Sequence, residues 1–191
     1  MVAWALSCLT VCALNARGTP LPSAHFDTLL RRPMDEERAT AALDETGIGY
    51  TLVRHGPVSS LAEAAKLRGV HPGQVVKTLV VRRGNGDYLF VLVPGDRQIS
   101  WPKLRALLGV TRLSMPDAET ARTVTGYERG TITPFGALHP LPVIADSRIQ
   151  GTISIGAGAH GVSALADAAD VIEALSATVA DVTAAEARTG A

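Results

Sequence analysis

Lys77 is the residue whose type and setting point most directly to chemistry. It lies inside Gln74-Val75-Val76-Lys77-Thr78-Leu79-Val80-Val81, a β-branched run between Gly73 and Arg82-Arg83-Gly84 that predicts a strand. Alternation puts Val75, Leu79 and Val81 on the face of Lys77, and Val76, Thr78 and Val80 on the other. Both faces are apolar, as in a strand covered on both sides. An ammonium group there either reaches out to solvent from an edge strand or is held in a cleft against a polar or anionic partner, because an unpaired buried charge is costly. Two glycine-rich stretches downstream can supply backbone N–H donors to such a cleft. One runs from Gly126 to Pro142 and contains Gly130, Thr133, Pro134 and Gly136; the other is Gly156-Ala157-Gly158-Ala159-His160-Gly161. One cation with two donor loops can hold an anionic or carbonyl-bearing ligand.

Competing constellations are weaker. Gly156-x-Gly158-x-x-Gly161 matches the dinucleotide fingerprint in letters, and Asp181 follows at about the distance of a ribose-binding acid. Yet the helix cap reads as Asp167 rather than Gly161, and too little chain follows Asp181 to complete a nucleotide-binding sheet. The histidines at 25, 55, 71, 139 and 160 show no ligand spacing, and neither Cys8 nor Cys12 joins them, so no metal is expected. Ser147, His160 and Asp146 can be assembled on paper into a triad, but no Gly-x-Ser-x-Gly elbow exists. No side chain is an obvious general base.

The elements that must position these residues are mixed. Asp35 to Glu45 predicts an amphipathic helix stopped by Gly47, and Tyr50 to Val53 a strand. Ser60-Leu61-Ala62-Glu63 is a capping box opening a helix that ends at Gly69. After the Lys77 strand, Gly84-Asn85-Gly86-Asp87 is a hairpin turn and Tyr88 to Val93 the partner strand, ended by Pro94-Gly95. Ser100 caps a third helix, Thr111 to Leu113 is a short strand, and Asp117 starts a fourth helix. Three prolines and three glycines between Gly126 and Pro142 make a long ordered loop, of a length that is usually functional. Strands follow at Val143–Asp146 and Thr152–Ile155, a helix capped by Asp167 runs to Leu175, and a last strand spans Val179 to Val182. The order is α+β, without strict βαβ alternation.

With 191 residues, 47% of them hydrophobic and 19% charged, the chain supports one globular domain with a real core. Its formal net charge of zero excludes a global basic field, so any contact with nucleic acid must be small and local. Cys8 and Cys12 cannot staple the fold. The expected organisation is a leader over 1–33, disordered or added by an upstream start codon, a domain over 34–183 and a tail over 184–191. Val2 to Ala16 is apolar but lacks the basic start of a signal peptide, which leaves secretion as the alternative to a cytoplasmic location.

Val-Val-Lys77-Thr-Leu-Val, the Gly130-Thr-Ile-Thr-Pro134-Phe-Gly136 loop and Gly156-Ala-Gly158-Ala-His160-Gly161 stand in the order and spacing of the YbaK/aminoacyl-tRNA-deacylase family, which the chain resembles from about Asp35 to Val182. That family includes free-standing editing proteins and the editing domain of bacterial prolyl-tRNA synthetases. The resemblance implies a mixed, strongly curved, barrel-like sheet wrapped by helices. It implies hydrolysis of the ester joining a wrong amino acid, small like cysteine or alanine, to tRNA, with tRNA-Pro as the expected carrier. Lys77 would lie beside the 3′ end as the catalytic cation. Thr78, Gly130, Thr133, Pro134, Gly136, Gly156, Gly158 and His160 would bind the substrate. The substrate's own hydroxyl or thiol would assist, with no cofactor. The implied partners are the acceptor 3′ end carrying a mischarged amino acid and, as a helper, an aminoacyl-tRNA synthetase; no membrane is implied. The alternative on the same fold is a non-catalytic module for tRNA 3′ ends or small ligands. Gly156 stands where some cysteine-clearing members have serine, and His160 where a basic residue is frequent, which leaves the amino-acid preference open.

Overall fold

The computed structural model describes residues 23–186, with side chains from 34 onward. Two hairpins form its framework. β2 (Val75–Gly84) and β3 (Asp87–Pro94) turn through Asn85-Gly86, where Gly86 takes the left-handed φ of 70° that the tight turn requires. β6 (Thr152–Gly156) and β7 (Val162–Asp167) turn through the second glycine stretch. Together with β1 (Tyr50–Arg54), β5 (Val143–Asp146) and β8 (Thr178–Ala180) they make a seven-stranded mixed sheet in the order β1-β7-β6-β2-β3-β5-β8. The two hairpins meet in parallel at just Val75↔Ser154 and Val76↔Ile155. β4 (Arg97–Ile99) and β9 (Thr183–Ala185) form a separate antiparallel pair.

The alternation in β2 explains how the sheet is covered. Val76 and Val80 join Phe90, Leu92, Ile153 and Ile155 in one apolar cluster, closed by Leu43 of α1 (Ser23–Thr46), Ala121 of α4 (Ala118–Thr125) and Val171 of α5 (Ala168–Ala174). Val81 joins Leu89, Val91 and Val93 in a second cluster on the other face, beneath Leu104 of α3 (Trp101–Leu108). Burying both faces supplies the main driving force for the fold. The capping signals are used largely as read, except that Ser100 stands at the N-cap of α3 without a side-chain capping hydrogen bond. Ser60 accepts from the Glu63 N–H at the start of α2 (Leu61–Arg68), although Glu63 reaches back to Ser59 rather than to Ser60. Asp117 and Asp167 cap α4 and α5.

The α+β mixture matches the expectation, and among the described residues the sheet runs from β1 at one edge to β8 at the other. Five details differ. The last expected strand, Val179 to Val182, gives way to β8, which ends at Ala180, and an additional β9 that runs from Thr183 into the expected tail. α1 begins at Ser23, well before Asp35. Thr111 to Leu113 pairs with nothing; its neighbour Ser114 makes a lone bridge to Arg82. β4 is additional, because three residues carry too little pattern to read. β7 is additional too, its small residues Ser163, Ala164 and Ala166 masking a strand. The chain enters that strand directly from Gly161, so the glycine fingerprint opens no helix and has no dinucleotide geometry. Most of the proposed leader, 1–22, and the end of the tail, 187–191, lie outside the described residues.

Candidate functional site

The site grows from a split in the sheet. Beyond Val76, β6 leaves β2, and the edge of β2 stays open until Arg82 exchanges backbone hydrogen bonds with Ser114 (N–H to O, 2.8 and 3.2 Å). Residues two apart in a strand direct their amides to the same edge. The N–H and C=O groups of Thr78 and Val80 therefore face this gap, in phase with Arg82. Met115, Pro116 and Ala121 close one side of it, and Gly130, Ile132 and Gly156 another. The resulting cleft holds about 280 Å³ and is lined mainly by apolar atoms. The Thr78 hydroxyl is buried there without a hydrogen-bond partner.

Lys77 is half-buried in the wall of this cleft. Its ammonium donates to the carbonyl of Gly95, at 2.8 Å, and to that of Arg97. The lysine thus lines the cleft while its ammonium is tied to main-chain carbonyls of the β3–β4 turn rather than released to solvent. Two of its three donors are fixed by main chain, which orients the third and keeps the charge in place. The turn that supplies those carbonyls is tightly constrained: a Cβ on Gly95 would come within 2.4 Å of the Pro72 carbonyl oxygen and 2.9 Å of that of Val75. An ammonium so held serves electrostatic stabilisation and positioning better than nucleophilic attack.

Of the residues expected to bind substrate, Thr78, Gly130 and Gly156 line the cleft. A Cβ on Gly156 would lie 3.3 Å from the Ile132 carbonyl oxygen, so glycine here lets the two loops approach closely. His160 does not line the cleft but lies against Gly130, its Cε1 3.1 Å from where a Cβ on that glycine would be. The other four do not reach the wall. Thr133 is fully buried, and its hydroxyl accepts from the Phe135 N–H. Pro134 sits half-buried between them in the loop. Gly136 and Gly158 both have left-handed φ and press on the α1 backbone: a Cβ would come within 2.5 Å of the Arg38 carbonyl oxygen at Gly136, and within 2.3 Å of that of Asp35 at Gly158. These two glycines anchor the loops to α1. Tyr127, wholly buried, adds to the anchor by donating to the Phe135 carbonyl at 2.7 Å beneath the Arg38 guanidinium, which lies 4.4 Å from its ring centroid.

Two cations at the cleft escape a sequence reading. Arg68, in the last turn of α2, lines it next to Val75 and Gly156, and Arg129 stands at the exposed lip. Neither has a motif around it; Arg68 reads simply as a favourable charge at a helix C-terminus.

A model of the aminoacyl-tRNA editing domain family matches residues 55–174, a span that contains Lys77 and both loops. The chain belongs to that family. The editing domain is 30% identical over 124 residues to the prolyl-tRNA editing protein ProX of Acetoanaerobium sticklandii, covering 62% of this chain and 76% of that protein. It is 34% identical over 98 residues to the proline–tRNA ligase of Desulforamulus reducens, covering 51% of this chain but 17% of the ligase. The chain thus spans about three quarters of ProX and about a fifth of the ligases it matches. A solved structure put forward as a trans-editing enzyme for prolyl-tRNA synthetase superposes with a TM-score of 0.72 at 27% identity, over 80% of this chain and 98% of that one. The expected family and the expected enzyme class, an aminoacyl-tRNA deacylase, agree with these matches. No helix among the described residues is long and apolar enough to cross a membrane.

Proposed function

We propose that this editing domain acts in trans to hydrolyse the ester of mischarged tRNA, with a small residue such as cysteine or alanine on tRNA-Pro as its substrate. The observation that carries this reading is the cleft at the open β2 edge, where a fixed ammonium, free strand amides and two glycine loops converge without an evident protein base. A cleft of about 280 Å³ is at the small end of ligand pockets, which suits a terminal ribose bearing a short aminoacyl group better than a bulky side chain. Water attacks the ester carbon, the bond to the ribose oxygen breaks, and that oxygen takes up a proton. The vicinal ribose hydroxyl, or a cysteine thiol, carries the proton transfer that no side chain is placed to perform. Lys77 and backbone N–H groups stabilise the oxyanion and hold the 3′ end. Beyond the Arg82–Ser114 bridge, Arg82, Arg83, Arg105 and Arg112 line a groove of about 530 Å³. That local cationic surface suits RNA phosphates in a chain of zero net charge.

The test is a panel of mischarged tRNAs incubated with the wild-type protein and with Lys77→Ala. Wild type should clear alanyl- or cysteinyl-tRNA-Pro well above the buffer rate, and the variant should lose about 10²–10³-fold, the usual effect of removing one preorganised oxyanion donor. Failure of the wild type on the whole panel refutes the deacylase reading and favours the binding module. A variant as fast as wild type removes Lys77 from the mechanism.

A further inference from the structure

We propose that Arg68 is a second anion-holding residue of the cleft, that His55 positions it, and that its anion is a phosphodiester of the RNA end next to the aminoacylated ribose. This rests on the deacylase reading for the identity of the ligand, but not for the existence of the anion site.

The guanidinium is half-buried, and among the described residues it forms no ion pair with a carboxylate. Its Nε–H donates to His55 Nε2 at 3.0 Å, and one terminal nitrogen lies 3.4 Å from the Oγ of the fully buried Ser154. His55 Nδ1 is 2.7 Å from the Gly56 carbonyl oxygen, which can only accept, so the proton sits on Nδ1 and Nε2 is left as the acceptor that Arg68 needs. The His55 backbone is fixed in turn: its N–H donates to the Gly161 carbonyl at 2.9 Å. Neither partner of Arg68 is a carboxylate. Burial pushes the guanidinium below its usual range, since desolvation disfavours the charged form. The C-terminus of α2 contributes some opposing partial charge.

The donors left unused define the ligand. With Nε committed to His55, the side-on fork is closed, and of the four N–H groups on the two terminal nitrogens Ser154 Oγ takes at most one. Those that remain match the oxygens of a phosphate. The buried Thr78 hydroxyl, also without a partner, lines the same cleft and offers a further donor. Lys77 is largely engaged with the Gly95 and Arg97 carbonyls. A division of labour follows, with Lys77 at the ester and Arg68 at the phosphodiester.

The test uses the full chain and two probes that require no hydrolysis, the trinucleotide CpCpA and adenosine, titrated by calorimetry. Wild type should bind CpCpA more tightly than adenosine. Arg68→Leu should weaken CpCpA about tenfold and shrink the margin over adenosine; Arg68→Gln, which keeps a polar amide without the charge, checks the result if the leucine variant folds poorly. His55→Gln retains an acceptor and should preserve the margin, whereas His55→Leu should narrow it. No preference for CpCpA in the wild type, or a margin in Arg68→Leu within twofold of wild type, overturns the proposal. So does a loss confined to tRNA charged with aspartate or glutamate, which would assign Arg68 to a side-chain carboxylate. Arg68-dependent CpCpA binding in a protein that clears no mischarged tRNA would refute the deacylase reading and leave the anion site standing.

Discussion

Gly158→Ala should unfold the link between the last glycine loop and α1, and its magnitude can be worked from the geometry. Gly158 has φ +83°, a conformation that costs a residue with a Cβ about 1–2 kcal/mol. The added methyl would also lie 2.3 Å from the Asp35 carbonyl oxygen and 3.0 Å from the Ala39 Cβ, both part of a packed helix. Relieving such a clash by backbone movement costs roughly 1–3 kcal/mol. Restricting the unfolded chain returns about 0.4–1 kcal/mol. The net expectation is a loss of about 1–5 kcal/mol, centred near 3 kcal/mol, or roughly 10 °C in Tm for a domain of this size. Gly47→Ala is the internal control: φ is +72°, yet nothing lies within 4 Å of the new methyl, so strain alone should lower stability by about 1 kcal/mol. Urea unfolding of both variants measures the difference. Equal losses at the two positions, or a loss below 1 kcal/mol at Gly158, would refute the close packing of this loop on α1.

Gly156→Ala separates function from stability at a neighbouring position: its φ is ordinary and the new methyl would stand 3.3 Å from the Ile132 carbonyl, so stability should change by less than about 1 kcal/mol while kcat/KM on mischarged tRNA falls at least tenfold. Tyr127→Phe removes the bond to the Phe135 carbonyl and should destabilise by about 1–2 kcal/mol in a thermal melt. Asp146 is fully buried; burial alone would raise its pKa, but hydrogen bonds from Thr183, the Arg148 and Val182 amides and the Arg148 side chain hold it below the ordinary 3.8. Its contribution is therefore present above pH 3.8 and lost as the pH falls through the lower folded value. Asp146→Asn should lose about 3 kcal/mol at pH 7 and show a shallower decline in stability between pH 5 and pH 3 than wild type, as read by urea midpoints.

How much of this was legible follows from the kind of signal each residue carries. The β2–β3 hairpin reads directly, because β-branched alternation and Asn85-Gly86 are local facts. Both glycine loops are equally plain in composition. Their roles are not, since Gly130 and Gly156 line the cleft while Gly136 and Gly158 press on α1, and only the third dimension separates the two pairs. Alternation alone leaves Lys77 between a solvent-facing and a cleft-facing reading; the Gly95 and Arg97 carbonyls that hold its ammonium come from a turn that reads merely as the end of a strand. Arg68 was invisible because its partners, His55 and Ser154, are brought to it by pairing between distant strands.

The narrow junction at Val75–Val76 bears on how the protein comes to fold. β2–β3 and β6–β7 each pair neighbours in the chain, so each can zip up early and alone. Joining them requires closing the long intervening stretch, and two residue pairs offer little reward at the moment of closure. The loops that seal the gap on either side can dock only afterwards. The cleft should accordingly be among the last features to appear during refolding, and a chain caught with its hairpins formed but unjoined would show strand structure in full and bind nothing.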